Sequence, residues 1–253
     1  MRFCVSRSCY TSYVLQLISL LLFFSFSLPS ITVAQNVAMR LEARYRSART
    51  LQATFLERYS ENGHIVRTEA GIAYFRRPGK MRWEYESPEK NLFLVDGKSA
   101  WFYVPADHTV TRVPAKESTD WRTPLALLAG AMKISRVCAS IGIALNEKPL
   151  TPDHAVLYCQ LRGVQAKPDK QRSKEDLLQS GKGSEAVFFE VAKESGELVR
   201  VLVRDPGGIE MEFSFTNWQI DPPVDDSLFR FRAPSGVAIV KGELPDGDRG
   251  INP

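Results

Sequence analysis

The hydrophobic positions of the chain follow two different periods. Between Val37 and Ala48 they recur at the spacing of one helical face, which predicts an amphipathic helix. From Leu51 onward they alternate with polar residues, as in a strand with one buried face, and Asn62-Gly63 then supplies the dipeptide of a tight hairpin turn. Further predicted strands cover 65–75, 80–86, 91–95, 99–104, 109–113, 155–161, 186–191, 198–204 and 209–219. The pattern predicts an antiparallel meander that opens with a helix.

A short segment of a different kind, residues 119–132, interrupts these strands. Thr123 and Pro124 have the residue types of a helix N-cap and first helical position, and the apolar run 125–129 follows. A helix so short and so apolar must be buried. Since a sheet of about ten strands curls, we predict a mainly β fold, an incomplete antiparallel β-barrel (a curved half-barrel sheet) with an α-helical lid. The alternative is a closed barrel or sandwich filled by its own side chains.

The N-terminal segment has the order of a cleavable secretory signal. Arg2 and Arg7 come first, an apolar run over 14–28 follows, and small residues end at Ala34. We predict that residues 1–34 are cleaved, that 35–240 form one domain and that 241–253 are a disordered tail. The alternative is an uncleaved N-terminal anchor, although the apolar run is short for a bilayer span.

Charge and cysteine content narrow the class of protein. The 33 Lys and Arg and 29 Asp and Glu give a net charge of +4, and both signs are dispersed, which argues against nucleic acid as a partner. Cys138 and Cys159 remain after the predicted cleavage, at a spacing unlike that of a zinc site or a Cys-x-x-Cys motif. We predict a disulfide between them, with two free buried thiols as the alternative.

Alternation along the predicted strands also separates candidate binding residues from solvated ones. Met81, Trp83 and Tyr85 share one strand face, and charged residues occupy the other. Large aromatic and flexible side chains offer apolar area to an acyl chain without a close fit that would slow its release. For any one of them the alternative is plain core packing. The predicted lipid cavity consists of Leu51, Phe55, Tyr74, Met81, Trp83, Tyr85, Phe93, Leu125, Leu127 and Leu128.

Three further segments carry recognisable motifs in a fixed order. Residues 71–88 read GIAYFRRPGKMRWEYESP, a glycine-containing strand, an Arg-Pro turn and an aromatic strand that ends in proline. Residues 96–105 read DGKSAWFYVP, and residues 229–237 read FRFRAPSGV. In this order the segments resemble the outer-membrane lipoprotein carrier family, LolA, over most of residues 37–240.

The resemblance implies a role as well as a fold. It implies a periplasmic chaperone that binds the acyl chains of lipoproteins in a hydrophobic cavity, receives them from an inner-membrane LolCDE-type transporter and delivers them to an outer-membrane LolB-type receptor. It also implies that Arg77 is the latch of the lid, and its guanidinium could cap helix carbonyls over residues 128–131. A solvated turn arginine is the alternative. We expect a monomer.

Other classes of function find less support in the sequence. The three histidines lie near turns or strand ends, without a Gly-x-Ser-x-Gly elbow or a metal-binding His-x-x-x-His helix. We predict no enzyme, no cofactor and no metal site. Residues 163–185 are polar and rich in lysine, and we expect them to form a mobile loop. Because this loop and the Cys138/Cys159 pair are not expected of the family, a carrier of a different lipid is an alternative. A half-barrel periplasmic regulator that senses lipid is the remaining alternative.

Overall fold

The described part of the chain is mainly β, as the alternating pattern predicts. A computed structural model describes residues 32–115, 125–130, 133–162 and 186–241. The strands are β1 (Thr50–Glu61), β2 (His64–Arg76), β3 (Lys80–Ser87), β4 (Leu92–Val95), β5 (Ser99–Val104), β6 (Thr109–Pro114), β7 (Cys138–Ile143), β8 (His154–Leu161), β9 (Ala186–Ala192), β10 (Leu198–Arg204), β11 (Ile209–Ile220) and β12 (Ala238–Lys241). The helices are α1 (Val33–Tyr45), α2 (Ala126–Ala129), α3 (Ile134–Val137) and a 3-10 helix (Asp226–Phe229).

These strands form one sheet in the order β12-β6-β5-β4-β3-β2-β1-β11-β10-β9-β8-β7. Neighbours are antiparallel except β12, which pairs in parallel with β6. The long strand β1 joins the two halves, because it pairs with β2 along one edge and with β11 along the other. The result is the predicted incomplete barrel, an open curved sheet with helices over its concave side.

Helix α1 confirms the helical pattern but not its bounds. Its buried side chains include Val37, Leu41 and Tyr45, which follow the helical period. The helix begins four residues before the predicted start and ends at Tyr45 instead of Ala48. It packs against β7 and β8 in the C-terminal half of the sheet.

The sheet has two unlike faces. We call the side that carries Phe55, Trp83 and Phe213 the inner face, and the opposite side the outer face. Inner-face side chains and the helices form one continuous buried cluster that extends across β1, β3 and β11 to β8. Because strand side chains alternate, the intervening residues of β3, such as Arg82, lie on the outer face.

The chain after β11 covers part of the outer face. The Arg82 guanidinium donates to the Leu228 carbonyl oxygen over 3.0 Å. Trp101 stacks on Phe231 at 5.1 Å between ring centroids, and Tyr103 meets the same ring at 5.8 Å. Trp101 and Tyr103, whose face the sequence leaves open, therefore lie on the outer face.

Several predicted features differ from the structure or lie outside it. Strands β7 and β12 are not among the predicted strands, and helix α3 is not predicted either. Of the predicted lid helix, the structure describes 125–130, and it contains the short helix α2. Thr123 and Pro124, the predicted loop over 163–185, most of the predicted signal and residues 242–253 of the predicted tail lie outside the described residues.

Candidate functional site

Trp83 is the centre of an aromatic cluster on the inner face. The centroid of its ring lies 4.7 Å from that of Phe55, 5.8 Å from Phe75, 5.4 Å from Phe213 and 6.1 Å from Phe215. Most of these contacts are edge-to-face or tilted, the arrangement that aromatic quadrupoles favour. Strands β1, β2, β3 and β11 each contribute at least one ring, so the cluster spans the junction of the two halves of the sheet.

Most of the predicted cavity residues come together at this cluster. Six lie on the inner face, and Leu125, Leu127 and Leu128 lie in or just before α2, which packs over β2 and β3. All nine are buried, with at most 7% of the side chain exposed. The six of the sheet are Leu51, Phe55, Met81, Trp83, Tyr85 and Phe93. Their location agrees with the sequence analysis, whereas contact with cargo stays a prediction.

The assignment of Tyr74 to the cavity is wrong. Tyr74 lies opposite Gln52 and Arg82 in the sheet, and so on the outer face. Burial raises the pKa of its hydroxyl, and the Glu84 carboxylate acts in the same direction. The inner position belongs to Phe75, which pairs with Leu51 and Met81. Unbroken pairing from the Asn62-Gly63 turn would place Tyr74 opposite Leu51, and the register shift between Tyr59 and Ser60 brings Phe75 there instead.

The C-terminal half of the sheet also contributes to the site, although none of its residues is among the predicted cavity residues. Strands β9 to β11 supply a second apolar wall to the inner face, continuous with the aromatic cluster. The alternating run Met-Glu-Phe-Ser-Phe over 211–215 carries a clear signal of one buried face. The residues of this wall are Val187, Phe189, Val191, Val201, Val203, Met211, Phe213 and Phe215.

One polar pair lies within this apolar surface. The Tyr85 hydroxyl donates to the Glu57 carboxylate over 2.5 Å, and only 2% of Glu57 is exposed. Glu57 follows Phe55 at the next inner position of β1 and faces Phe213 on β11. A buried carboxylate requires hydrogen-bond donors, since its desolvation is costly. The inner face is therefore apolar at Leu51 and Phe55 and polar at Glu57.

The described bonds that hold α2 and α3 over the sheet are few. The Gly79 N–H, in the turn between β2 and β3, donates to the Ala129 carbonyl oxygen over 2.8 Å. The Ile134 N–H donates to a carboxylate oxygen of Glu42 on α1 over 2.7 Å. The first bond ties the end of α2 to the β2–β3 turn, and the second ties the start of α3 to α1.

Helix α1 is held more extensively, by the turn between β9 and β10. Arg44 pairs with Glu197 at 2.5 Å, and the Leu198 N–H donates to the Tyr45 hydroxyl over 3.1 Å. Burial raises the pKa of that hydroxyl to about 12. The Arg40 guanidinium donates to the Glu194 carbonyl over 3.0 Å. Helix α1 is thus a fixed wall of the site.

The described bonds of the Arg77 side chain differ from the prediction. Its guanidinium donates to the carbonyl oxygens of Tyr45 and Arg46, at 2.6 and 2.5 Å, and so caps the C-terminal end of α1 instead of carbonyls over 128–131. Desolvation is the main cause of the lowered pKa of Arg77. The link to α2 is indirect, through Gly79 in the same turn, and the latch role stays a prediction.

Arg76 lies on the other face of the sheet. Its guanidinium donates to the Val224 carbonyl over 3.0 Å and pairs with Asp226 at 2.9 Å. Arg76, the last residue of β2, thus bonds on the outer face, whereas Arg77 in the following turn bonds to the end of α1. Arg76 is therefore a matched control for Arg77.

Sequence comparison shows which known proteins the chain resembles. The family model "Outer membrane lipoprotein carrier protein LolA" matches residues 46–142, which include the aromatic strand β3, the Arg77 turn and helices α2 and α3. Over these residues the chain is similar to the LolA family. Its relatives include the outer-membrane lipoprotein carrier protein of Nitrosomonas europaea, which is 26% identical over 87% of this chain and 96% of that protein.

Two further similarities accompany this match. The outer-membrane lipoprotein carrier protein of Chromobacterium violaceum is 29% identical over 82% of this chain and 89% of its own length. An uncharacterized conserved protein from Thermus thermophilus, a solved structure, aligns at 15% identity with a TM-score of 0.46 over 82% of this chain and 98% of that chain. The LolA relatives are named as carriers, not as enzymes. No helix among the described residues is long and apolar enough to cross a membrane.

A disulfide lies at the C-terminal end of the lid segment. Cys138 and Cys159 are bonded, with their Cα atoms 5.3 Å apart, and both are buried. Beside the bridge, the Arg162 N–H donates to the Val137 carbonyl over 2.8 Å. The bridge ties the end of α3 to β8, so this end of the lid segment is anchored to the sheet.

Loss of this bridge should destabilise the protein without changing its fold. Cys138→Ser is expected to lower the free energy of unfolding by about 3 kcal/mol, because the closed loop of 21 residues restricts the unfolded chain. Urea unfolding of the variant and of the oxidised parent measures the difference, and the parent in dithiothreitol should behave like the variant. Two alkylatable thiols in the non-reduced, exported parent would contradict the bridge.

Proposed function

We propose that this protein is a periplasmic, non-enzymatic carrier that shields the acyl chains of lipoproteins on their way from an inner-membrane LolCDE-type transporter to an outer-membrane LolB-type receptor. The observation that carries the proposal is the continuous aromatic and aliphatic inner face under a short apolar helix. The match of residues 46–142 to the LolA family model and the names of the similar carrier proteins support it. Export with cleavage after Ala34, which would start the mature chain inside α1, is part of the proposal.

The energetics of the site suit a carrier. Each buried methylene is worth about 0.8 kcal/mol, so an acyl chain resists leaving a bilayer by on the order of 10 kcal/mol. A backbone hydrogen bond contributes about 1 kcal/mol net to stability, and a hydrogen bond to a carboxylate contributes about 1.5 to 3 kcal/mol. The described bond of Gly79 to Ala129 therefore holds α2 weakly compared with what a bound chain supplies, whereas the disulfide at Cys138 also anchors α3. In the described state the inner face is covered, so cargo entry requires α2 to move.

Site-specific crosslinking tests the proposal directly. A photoreactive phenylalanine at Phe75, on the inner face, should crosslink to a lipoprotein with radiolabelled palmitate. The same residue at Tyr74, one position away on the outer face, should give little product. Equal labelling at both positions, or none at either while the protein is folded, would rule out the inner face as the acyl-chain site.

The role of Arg77 makes a second prediction. In the covered state, two hydrogen bonds from the charged Arg77 guanidinium hold the β2–β3 turn to α1, and Arg77→Leu removes both. Each such bond stabilises the covered state by about 1.5 to 3 kcal/mol. Without them the balance shifts toward the open, loaded form. The variant is expected to accept lipoprotein normally but to transfer it at least about tenfold less efficiently to the receptor. Transfer to purified receptor, normalised to the amount loaded, measures the effect.

Arg76→Leu is the control for this measurement. It loses bonds of comparable number on the outer face and should transfer cargo almost as the parent does. A defect in Arg76→Leu alone, or normal release by Arg77→Leu, would show that the latch assignment is wrong.

A further inference from the structure

The loop between β7 and β8, residues 144–153, folds back on the outer face and bonds to it through its backbone and the Glu147 side chain. We call it the β7–β8 loop. The Leu150 N–H donates to the Glu190 carboxylate over 2.6 Å, and Glu147 pairs with Arg204 at 2.8 Å. Arg200 donates to the Lys148 carbonyl over 3.3 Å. These bonds fix the loop against the sheet.

Glu190 is the anchor of the loop. It is 1% exposed, and besides the Leu150 N–H it contacts the Arg200 guanidinium at 2.8 Å and His154 Nδ1 at 2.9 Å. A carboxylate so deeply buried is stable only with several donors, and here one of them is the backbone of the loop. At the far end, the Lys193 ammonium donates to the Pro152 carbonyl over 2.6 Å. The conformation of the loop is thus specified by the sheet beneath it.

The large apolar side chains of the same loop point into solvent. Leu145 is 89% exposed and Leu150 is 59% exposed. A single exposed leucine is ordinary on a protein surface. Here two leucines share one short loop whose backbone and Glu147 side chain bond to the sheet, while both leucine side chains face solvent. The fixed backbone keeps both side chains from collapsing onto the sheet.

The composition of the loop favours a lipid surface over a protein partner. Glu147 pairs with Arg204, which also binds Glu210. The nearby Glu190 is buried and pairs with Arg200, whereas Lys148 is exposed. The exposed Asp153 carboxylate lies 3.8 Å from His154 at the end of the loop. Aliphatic side chains beside a lysine suit the headgroup region of an anionic bilayer. Protein interfaces draw most of their affinity from Trp, Tyr and Arg, none of which the loop contains.

We propose that the β7–β8 loop docks the protein reversibly on anionic bilayers, with Leu145 and Leu150 entering the headgroup region and Lys148 contacting the anionic headgroups. The proposal goes beyond the carrier function and is independent of it, because vesicle binding is measured without lipoprotein cargo. Two leucines and one cation give weak binding, which leaves the protein free to depart from the surface.

Vesicle co-sedimentation tests this docking. The full chain as exported should bind vesicles of phosphatidylethanolamine and phosphatidylglycerol more strongly than vesicles of phosphatidylcholine. The double variant Leu145→Ser/Leu150→Ser should lose about tenfold or more of its partition coefficient, because both apolar side chains are removed. The matched control is Ile65→Ser/Val66→Ser, at the exposed β1–β2 hairpin, where the two side chains are 61% and 55% exposed. The control should bind as the parent does.

The charge contribution is tested separately with Lys148→Gln, which should reduce binding to the anionic vesicles and leave binding to phosphatidylcholine unchanged. Equal loss in the loop variant and the hairpin control would overturn the proposal, as would the absence of vesicle binding by the parent. Normal vesicle binding by a loop variant that fails to bind purified receptor would also overturn it and would identify the loop as a protein contact. Failure of the crosslinking experiment at Phe75 would leave this result unaffected.

Discussion

Gly71→Val is expected to yield no folded protein. A Cβ at Gly71 would lie 1.9 Å from the Glu84 carbonyl oxygen and 3.0 Å from the Tyr85 Cα. Both are backbone atoms of the neighbouring strand β3, so no side-chain rotation relieves the clash. The register between β2 and β3 shifts beside this glycine, where the two backbones come close. A branched side chain there would force apart the strands that carry Phe75 and Trp83.

The control for this substitution is Gly142→Val. Gly142 also lies in a strand, but a Cβ there meets nothing within 4 Å. Soluble yield after export and the far-UV circular dichroism of any purified protein compare the two variants. Gly142→Val should give folded protein. If Gly71→Val has the circular dichroism and unfolding midpoint of the parent, the close approach of β2 and β3 at Gly71 is not required for folding.

The alternation of apolar residues was sufficient to predict most of the sheet and half of the site. Successive side chains of a strand point to opposite faces, so the alternation of apolar and charged residues in the sequence shows which residues share a face. This places Met81, Trp83 and Tyr85 together on the inner face. The apolar run that contains Leu127 and Leu128 predicted a buried helix for the same kind of reason. Local patterns of this sort depend only on which side of an element is buried.

Features that depend on tertiary pairing could not be predicted in this way. Tyr74 and Phe75 are both aromatic, and only the register with β1 and β3 assigns one of them to each face. The acceptors of Arg77 lie more than thirty residues away in sequence, at the end of α1, and no local pattern identifies them. Strand β12 pairs in parallel with β6 through residues that are all exposed, so it lacks a burial pattern.

The site combines a fixed wall with a weakly held cover. Helix α1 is bonded to the β9–β10 turn through Arg44 and Tyr45, whereas α2 is tied to the sheet through the Ala129 carbonyl. The disulfide at Cys138 anchors the end of α3 to β8. Movement that uncovers the aromatic cluster is therefore expected to occur at α2, with the disulfide near its pivot.

Leu128→Glu should abolish cargo uptake while the sheet stays folded. Leu128 is 1% exposed and packs in the same buried cluster as the aromatic rings. An unpaired carboxylate at this position would cost several kcal/mol in the covered state and would drive α2 away from the sheet. In the uncovered state the charge would oppose an acyl chain directly. We expect the charge to cost about 3 kcal/mol of binding free energy, which corresponds to a hundredfold or greater fall in lipoprotein uptake.

Two matched variants distinguish the loss of a binding surface from the loss of the fold. Leu128→Met conserves volume and apolar character, so it should retain uptake within about a factor of three. Val66→Glu places the same charge on the exposed hairpin and should leave uptake unchanged. Uptake is measured as release of lipoprotein from inner-membrane vesicles into the soluble fraction, and circular dichroism reports on the sheet. Parental uptake by a folded Leu128→Glu protein would show that α2 does not face the cargo, because a buried carboxylate and an acyl chain cannot share one apolar surface.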